Sequence, residues 1–310
     1  MTDSLRRKVQ DTLARYGIFP QKGLGQNFLV SDQALLRLLA EAALSAGDMV
    51  IEIGAGLGQI TRLLAEKARW VIALEFDPRL MAILRQELAP FGNVTLIQTD
   101  AACCSYQEVI EHFPEQEEGG VNIEKGERKI KVIGNIPYYV AVPILVHLEE
   151  IRDRICLIIT TIQKELAERV MARPGEKAYG ELSIRLQYRY WIEKVSHLPA
   201  EAFYPRPKVA SEIIALRPID NPQVSVQDEA LFFRLVQAAF SQRRKTLLNA
   251  LSAHRELGVR REEWPALFTQ AHISPQRRGE TLSLAEFASL SDLVFRHRAA
   301  SHPAAASGAS

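Results

Sequence analysis

The stretch "DMVIEIGAGLGQITRLLAEKA" (residues 48–68) decides the fold. Its first half is an apolar run rich in β-branched residues, as in a buried strand, and its second half carries apolar residues at helical spacing. Between them Gly54, Gly56 and Gly58 stand at alternate positions, a turn whose backbone can come close to a ligand. The same alternation continues downstream, and it predicts a mainly parallel sheet with helices on both faces. "WVIALEFD" reads as a second strand, "PRLMAILRQELA" as a helix opened by proline, and "NVTLIQTD" as a third strand. "KIKVIGNIP" and "ICLIITTIQ" supply a fourth and a fifth, with "AVPILVHLEEI" between them. "LSIRLQYRYWIEKVSHL" and "ASEIIALRPI" read as two further strands at one edge.

After Pro222 the strand pattern stops and four segments of helical period follow, from "DEALFFRLVQAAF" to "SLAEFASLSDLVFRH". Residues 1–220 are thus expected to form an α/β domain, 221–298 a smaller all-helical one, and the low-complexity stretch 299–310 a disordered tail. The polar segment 113–129 reads as a surface insertion. With 310 residues, 47% of them hydrophobic, the chain can build a sizeable core. Its formal charge of +1 gives no global electrostatic signature, so a nucleic-acid partner would need a local basic face. Cys103, Cys104 and Cys156 lack metal-site spacing, and no metal is expected. Without a signal-like segment or a run long enough for a membrane span, the expectation is a cytosolic protein.

The Gly-x-Gly-x-Gly spacing misses the dinucleotide fingerprint by one position, which disfavours a nicotinamide dehydrogenase. Alone, the turn fits a plain tight turn as well as a cofactor loop. Two acids add to it. Glu75 ends the second strand about twenty residues on, where a carboxylate can accept from both ribose hydroxyls of a nucleoside. Asp100 ends the third, at the sheet edge where ligands of such folds bind. This constellation resembles the S-adenosylmethionine site of the Rossmann-like class I methyltransferases. The resemblance implies Gly54 and Gly56 against the cofactor, Glu75 on its ribose and Asp100 on its adenine amino group.

The fourth strand breaks into Gly134-Asn135-Ile136-Pro137-Tyr138. Methyl transfer is an in-line displacement that needs an available lone pair, and an aromatic amino group has its pair delocalised. Two acceptors against the amino hydrogens would localise it, mainly in the transition state. The Asn135 side-chain oxygen and the Ile136 carbonyl, aimed by the extended conformation a following Pro137 imposes, can be those acceptors. Tyr138 offers a face for stacking a base taken out of its helix. Asn-Ile-Pro-Tyr is similar to the Asn-[Leu/Ile]-Pro-Tyr of the ribosomal RNA adenine N6,N6-dimethyltransferase family, and the likeness covers nearly the whole chain. "KGLGQNFLV" (residues 22–30) matches its N-terminal segment, implying that Gln26, Asn27 and Leu29, with Asn135, close over S-adenosylmethionine. In "AFYPRPKVASEI" the match implies that Phe203 stacks on the other face of the target base. "AFSQRRKTLLNAL" and "RRGETLSLAEF" resemble the KsgA type, which acts on small-subunit (16S) ribosomal RNA during ribosome biogenesis. That type implies dimethylation of two adjacent adenines near the 3′ end. Arg206, Lys208, Arg243, Arg244, Lys245, Arg277 and Arg278 are the expected contacts to RNA phosphates. A monomer is expected. The alternatives are a macrolide-resistance methyltransferase acting on large-subunit RNA and a non-catalytic assembly factor. Glu181, where the family is commonly basic, and the long acidic insertion depart from the pattern.

Overall fold

The computed structural model describes residues 3–114, 130–220, 224–242 and 244–301, which divide into two compact units. The first holds Met1–Ala167 and Trp191–Pro218. It is built on a seven-stranded sheet of β2 (Met49–Ile53), β3 (Trp70–Glu75), β4 (Val94–Gln98), β5 (Ile130–Asn135), β6 (Ile155–Gln163), β7 (Tyr190–Leu198) and β9 (Ser211–Pro218), in the order β4-β3-β2-β5-β6-β9-β7. The first five are parallel and β9 runs antiparallel to β6. Every residue of β2 is buried, as expected for a strand covered on both faces. A separate two-stranded sheet pairs β1 (Phe28–Leu29) with β8 (Phe203–Tyr204), antiparallel.

Strand order sets the position of the site. The chain runs outward from β2 to β3 to β4, then returns to lay β5 on the other side of β2. The crevice beyond the carboxyl ends of β2 and β5 is the switch point where ligands of open α/β sheets bind. Helix starts are fixed by capping. Ser31 accepts from the Ala34 N–H, and Asp77 accepts from the Arg79 N–H with Pro78 in the first helical turn.

Gly134 and Ile53 are partners where β5 and β2 end, and a Cβ on Gly134 would lie 2.8 Å from the Ile53 carbonyl oxygen. That neighbour is backbone in a buried sheet and cannot swing away. Gly134→Ala is expected to destabilise the protein by about 2 kcal/mol, as core overpacking does. Chemical denaturation checks this, and an unchanged midpoint would contradict it.

Two expectations are corrected here. Residues Glu181–Arg189 form a helix rather than a strand. Leu182, Ile184, Leu186 and Tyr188 alternate with polar residues in sequence, which mimics a strand, but the helix is buried over much of its circumference. Gln187 uses its amide to cap the carbonyls of Val170 and Ala172, both at 2.9 Å. The boundary at 220 also shifts, because the second unit takes Glu168–Tyr190 together with Ile219–Ser310. Tyr179, Ile184 and Tyr188 belong to its core with Leu231, Phe232, Trp264, Phe268 and Phe287. The Tyr179 hydroxyl donates to the Leu282 carbonyl at 2.9 Å. This unit is helical, with Glu229–Phe240, Leu247–Leu251, Trp264–Gln270 and Leu284–Ser301 as its main C-terminal helices. The last of these carries 299–301, expected in the tail; 302–310 and insertion residues 115–129 lie outside the described residues. Cys103 is exposed, while Cys104 and Cys156 are partly buried.

Candidate active site

A cleft at the switch point holds about 820 Å3 of empty space, part of it open to solvent. Gly54, Gly56, Glu75, Asp100 and the run Asn135–Tyr138 all line it, together with Gln26 and Asn27. Gly54 and Gly56 both have positive φ, 77° and 60°, and a Cβ on Gly56 would meet the Phe28 ring at 3.3 Å. The loop thus leaves room where a side chain would fill the cradle.

Glu75 is buried, and each of its oxygens accepts one backbone N–H: Gly56 at 2.9 Å and Asp77 at 2.8 Å. Burial raises its pKa, against those two N–H groups, which lower it. A carboxylate has about four acceptor sites, so one on each oxygen remains for a pair of hydroxyls. Asp100 accepts from the Ala102 N–H through Oδ1 at 2.9 Å, which aims the carboxylate and leaves Oδ2 for a ligand.

The Asn135 amide nitrogen donates to the Asn27 carbonyl at 2.8 Å. Since that partner can only accept, the nitrogen end is fixed and Oδ1 is the end left to receive a proton donor. Among the described residues the Ile136 carbonyl has no hydrogen-bond donor either. Adjacent residues in the cleft lining thus each keep an acceptor with no donor among the described residues. The Tyr138 hydroxyl is bonded to Ser211 Oγ at 2.7 Å, which steadies its ring. The N-terminal segment is strapped down in parallel. Gln26 donates to Asp77 Oδ2 at 2.7 Å and accepts from the Gln21 N–H at 2.8 Å.

A family model for the ribosomal RNA adenine dimethylases matches residues 20–292. The chain belongs to this family. Relatives named ribosomal RNA small subunit methyltransferase A, from Bacillus cereus and Bacillus anthracis, are each 41% identical over 292 residues, 94% of this chain and 97% of theirs. Two crystal structures share the fold. A dimethyladenosine transferase from Plasmodium falciparum has a TM-score of 0.65 at 23% identity, covering 84% of this chain and 94% of its own. The 23S rRNA methyltransferase ErmE has a TM-score of 0.63 at 22% identity, covering 87% and 100%.

Not every residue singled out in this dimethylase sequence reaches the cleft. Phe203 is fully buried, paired with Leu29 across β8 and β1 and packed among Leu35, Leu38 and Ile213. It offers no face to a base, and Leu29 likewise points into the core instead of over the cleft. The aromatic faces present are those of Phe28, Phe76, Tyr138 and Tyr139. Phe76 and Tyr139 are 52% and 60% exposed. Phe76 could have been found as the apolar residue directly after the strand-ending acid; Tyr139 had no signal beyond the doubled tyrosine. Of the cations, Arg206, Lys208, Arg244, Lys245 and Arg278 are exposed. Arg206 pairs with Glu201 at 2.6 Å. Arg277 is committed to Glu286 and to the Thr281 carbonyl, so it braces its own unit. Arg243 lies outside the described residues. Among the described residues no cluster of three or more His, Cys, Asp or Glu could hold a metal ion, and no helix is long and apolar enough to cross a membrane.

Glu52, on β2 of the dimethylase, was read only as part of a strand. It is 1% exposed, and among the described residues neither of its oxygens meets a partner in hydrogen-bonding geometry. Burial raises its pKa from 4.5 to about 8, with Glu75 adding to the rise and Thr61 opposing it. The folded protein therefore keeps a proton that the unfolded chain releases near pH 4.5. Stability is expected to fall as pH rises from about 4.5 to about 8, by up to about 1.4 kcal/mol per unit. Glu52→Gln is expected to flatten that slope, as measured by denaturant midpoints across the window. A slope unchanged by the substitution would refute the assignment.

Proposed function

We propose that this chain transfers methyl groups from S-adenosylmethionine to the N6 amino groups of adenines in small-subunit ribosomal RNA, as a cytoplasmic monomer. The observation that carries the reading is the paired acceptor set, Asn135 Oδ1 and the Ile136 carbonyl, in the lining of the cleft that also holds Gly56, Glu75 and Asp100. The cradle suits this cofactor. Its glycines leave space without a phosphate-binding fingerprint, and its buried carboxylate keeps one acceptor site on each oxygen for two ribose hydroxyls. Asp100, with Oδ1 taken by the Ala102 N–H, would accept the adenine amino group through Oδ2, and Phe76 would supply an apolar face beside Glu75. When bound, S-adenosylmethionine supplies an electrophilic methyl group.

Everything else falls to the protein. Asn135 and Ile136 accept the two amino hydrogens of the target base and draw its nitrogen toward a tetrahedral shape, an interaction that strengthens as the new bond forms. Tyr138, steadied by Ser211, stacks on the extruded base. Pro137 holds Ile136 extended so that its carbonyl keeps its aim. No general base is needed, because the methylated amino cation is acidic enough to lose its proton to water. A second methyl can follow on the same nitrogen, which still carries a lone pair.

The test is transfer of labelled methyl from S-adenosylmethionine to bacterial small subunits lacking the modification, beside large-subunit RNA, followed by nucleoside mass spectrometry. Dimethyladenosine confined to the small subunit is the expected result. Label in the large-subunit RNA would assign the chain to the resistance enzymes. Binding without transfer to either would leave only an assembly role.

A further inference from the structure

A second cleft opens on the first unit, lined by Arg6, Ser31, Arg37, Ser196, His197 and Glu201 among others. It holds about 1200 Å3 of space and opens to solvent, too wide and polar for a small apolar ligand. Its position is informative. Val30 and Ala202 line it, and they follow β1 and precede β8, joined by a hydrogen bond of 2.7 Å from the Val30 N–H to the Ala202 carbonyl. Phe28, two residues back along the chain, lines the candidate active site. Phe28 and Val30 lie on the same face of the extended chain, so the two clefts are neighbours along it, their lining residues roughly 7 Å apart.

The cleft is cationic. Arg37 is exposed and, among the described residues, has no ion-pair or hydrogen-bond partner. Arg6 donates to the Glu201 carbonyl at 2.5 Å, which orients its guanidinium without neutralising it. The Glu201 carboxylate is already taken by Arg206 at 2.6 Å, and His197 is held by Glu212 at 2.9 Å. Two arginines from different elements thus face one space whose single lining acid is paired elsewhere.

We propose that this cleft seats backbone phosphates of the nucleotides flanking the target adenine, with Arg37 and Arg6 as the contacting groups. The proposal rests on the reading of the chain as a ribosomal RNA methyltransferase. Extruding a base from a folded RNA leaves the flanking backbone free to shift, and phosphate contacts fix register without reading sequence. Arginine suits the role because its planar fork can engage a phosphate through two hydrogen bonds at once. A cleft that neighbours the candidate active site along the chain at Phe28–Val30 is where an RNA strand entering the site can pass.

Binding of small-subunit RNA is to be measured over a range of salt concentrations for the full-length wild type, Arg37→Ala, Arg37→Glu and Arg37→Lys, beside steady-state methylation. Arg37→Ala is expected to reduce the slope of log K against log salt by about 1. It should raise the KM for RNA about tenfold with kcat, cofactor affinity and Tm unchanged. Arg37→Glu should exceed it, and Arg37→Lys should restore the slope. An unchanged slope and KM in Arg37→Glu would overturn the proposal, as would an equal loss of RNA and cofactor affinity. The slope is read from binding to whichever RNA the wild type engages. Methylation of the wrong RNA would therefore defeat the functional reading while the slope still decides the cleft.

Discussion

Replacing Asn135 by Ala is expected to lower kcat by about 100- to 1000-fold, the range found when one preorganised hydrogen-bonding group facing a developing charge is removed. S-adenosylhomocysteine affinity should change by only a few-fold. The separation follows from the geometry. Oδ1 of Asn135 is the end without a partner among the described residues and the proposed substrate acceptor, whereas its nitrogen tethers the Asn27 carbonyl. The N-terminal segment keeps its other anchors when that tether is lost: Gln26 on Asp77 and β1 on β8. Asn135→Asp sharpens the test. It keeps an acceptor, but when ionised it places a carboxylate against the Asn27 carbonyl, so it should lose part of the rate and part of the cofactor affinity. Single-turnover methylation and calorimetric titration measure the two quantities. Equal losses of both in Asn135→Ala would show that Asn135 serves the cofactor cradle instead of the transferring nitrogen.

Glu75→Ala should have the complementary effect: cofactor affinity reduced by 100-fold or more, with RNA affinity retained. Besides removing the proposed ribose acceptor, the substitution leaves the N–H groups of Gly56 and Asp77 without their acceptor in a buried site. Each orphaned donor costs about 1–3 kcal/mol, so the melting temperature should fall as well. Glutamine should not rescue. The two N–H groups sit on opposite oxygens, and an amide must turn its own donor toward one of them. Near-wild-type cofactor binding by Glu75→Gln would mean that the carboxylate is not the ribose acceptor.

The parts of this fold legible in the sequence are those written as local pattern. Strands β2 to β6 announce themselves as apolar runs, and the glycine turn, Glu75, Asp100 and Asn135 fall at their carboxyl ends because parallel strands deliver their ends to one edge. What was not legible depended on tertiary neighbours. Residues 181–189 alternate like a strand, yet fold as a helix because Ile184 and Tyr188 find a helical core that only the later chain supplies. Phe203 has the sequence context of a base-stacking aromatic, but pairing of β8 with β1 turns it into the core. Arg277 looked like a free cation until Glu286 came within reach from the next helix. Glu52 hid in an apolar run, where period alone cannot tell a buried acid from its neighbours.

The β1–β8 pair also bears on how the protein is made. A growing chain releases the glycine turn, Glu75 and Asn135 well before Phe203 and Tyr204 appear, and β1 has no other strand to join in its sheet. Until then residues 22–29 are held by Gln26 on Asp77 and by the Asn135 amide on the Asn27 carbonyl, and adding the strand pairing means closing a very long loop. The last anchor of the segment beside the crevice therefore comes late in synthesis. An N-terminal fragment ending before β8 would present every strand-end residue of the crevice through β5 but lack the strand that pins residues 28 and 29 beside it.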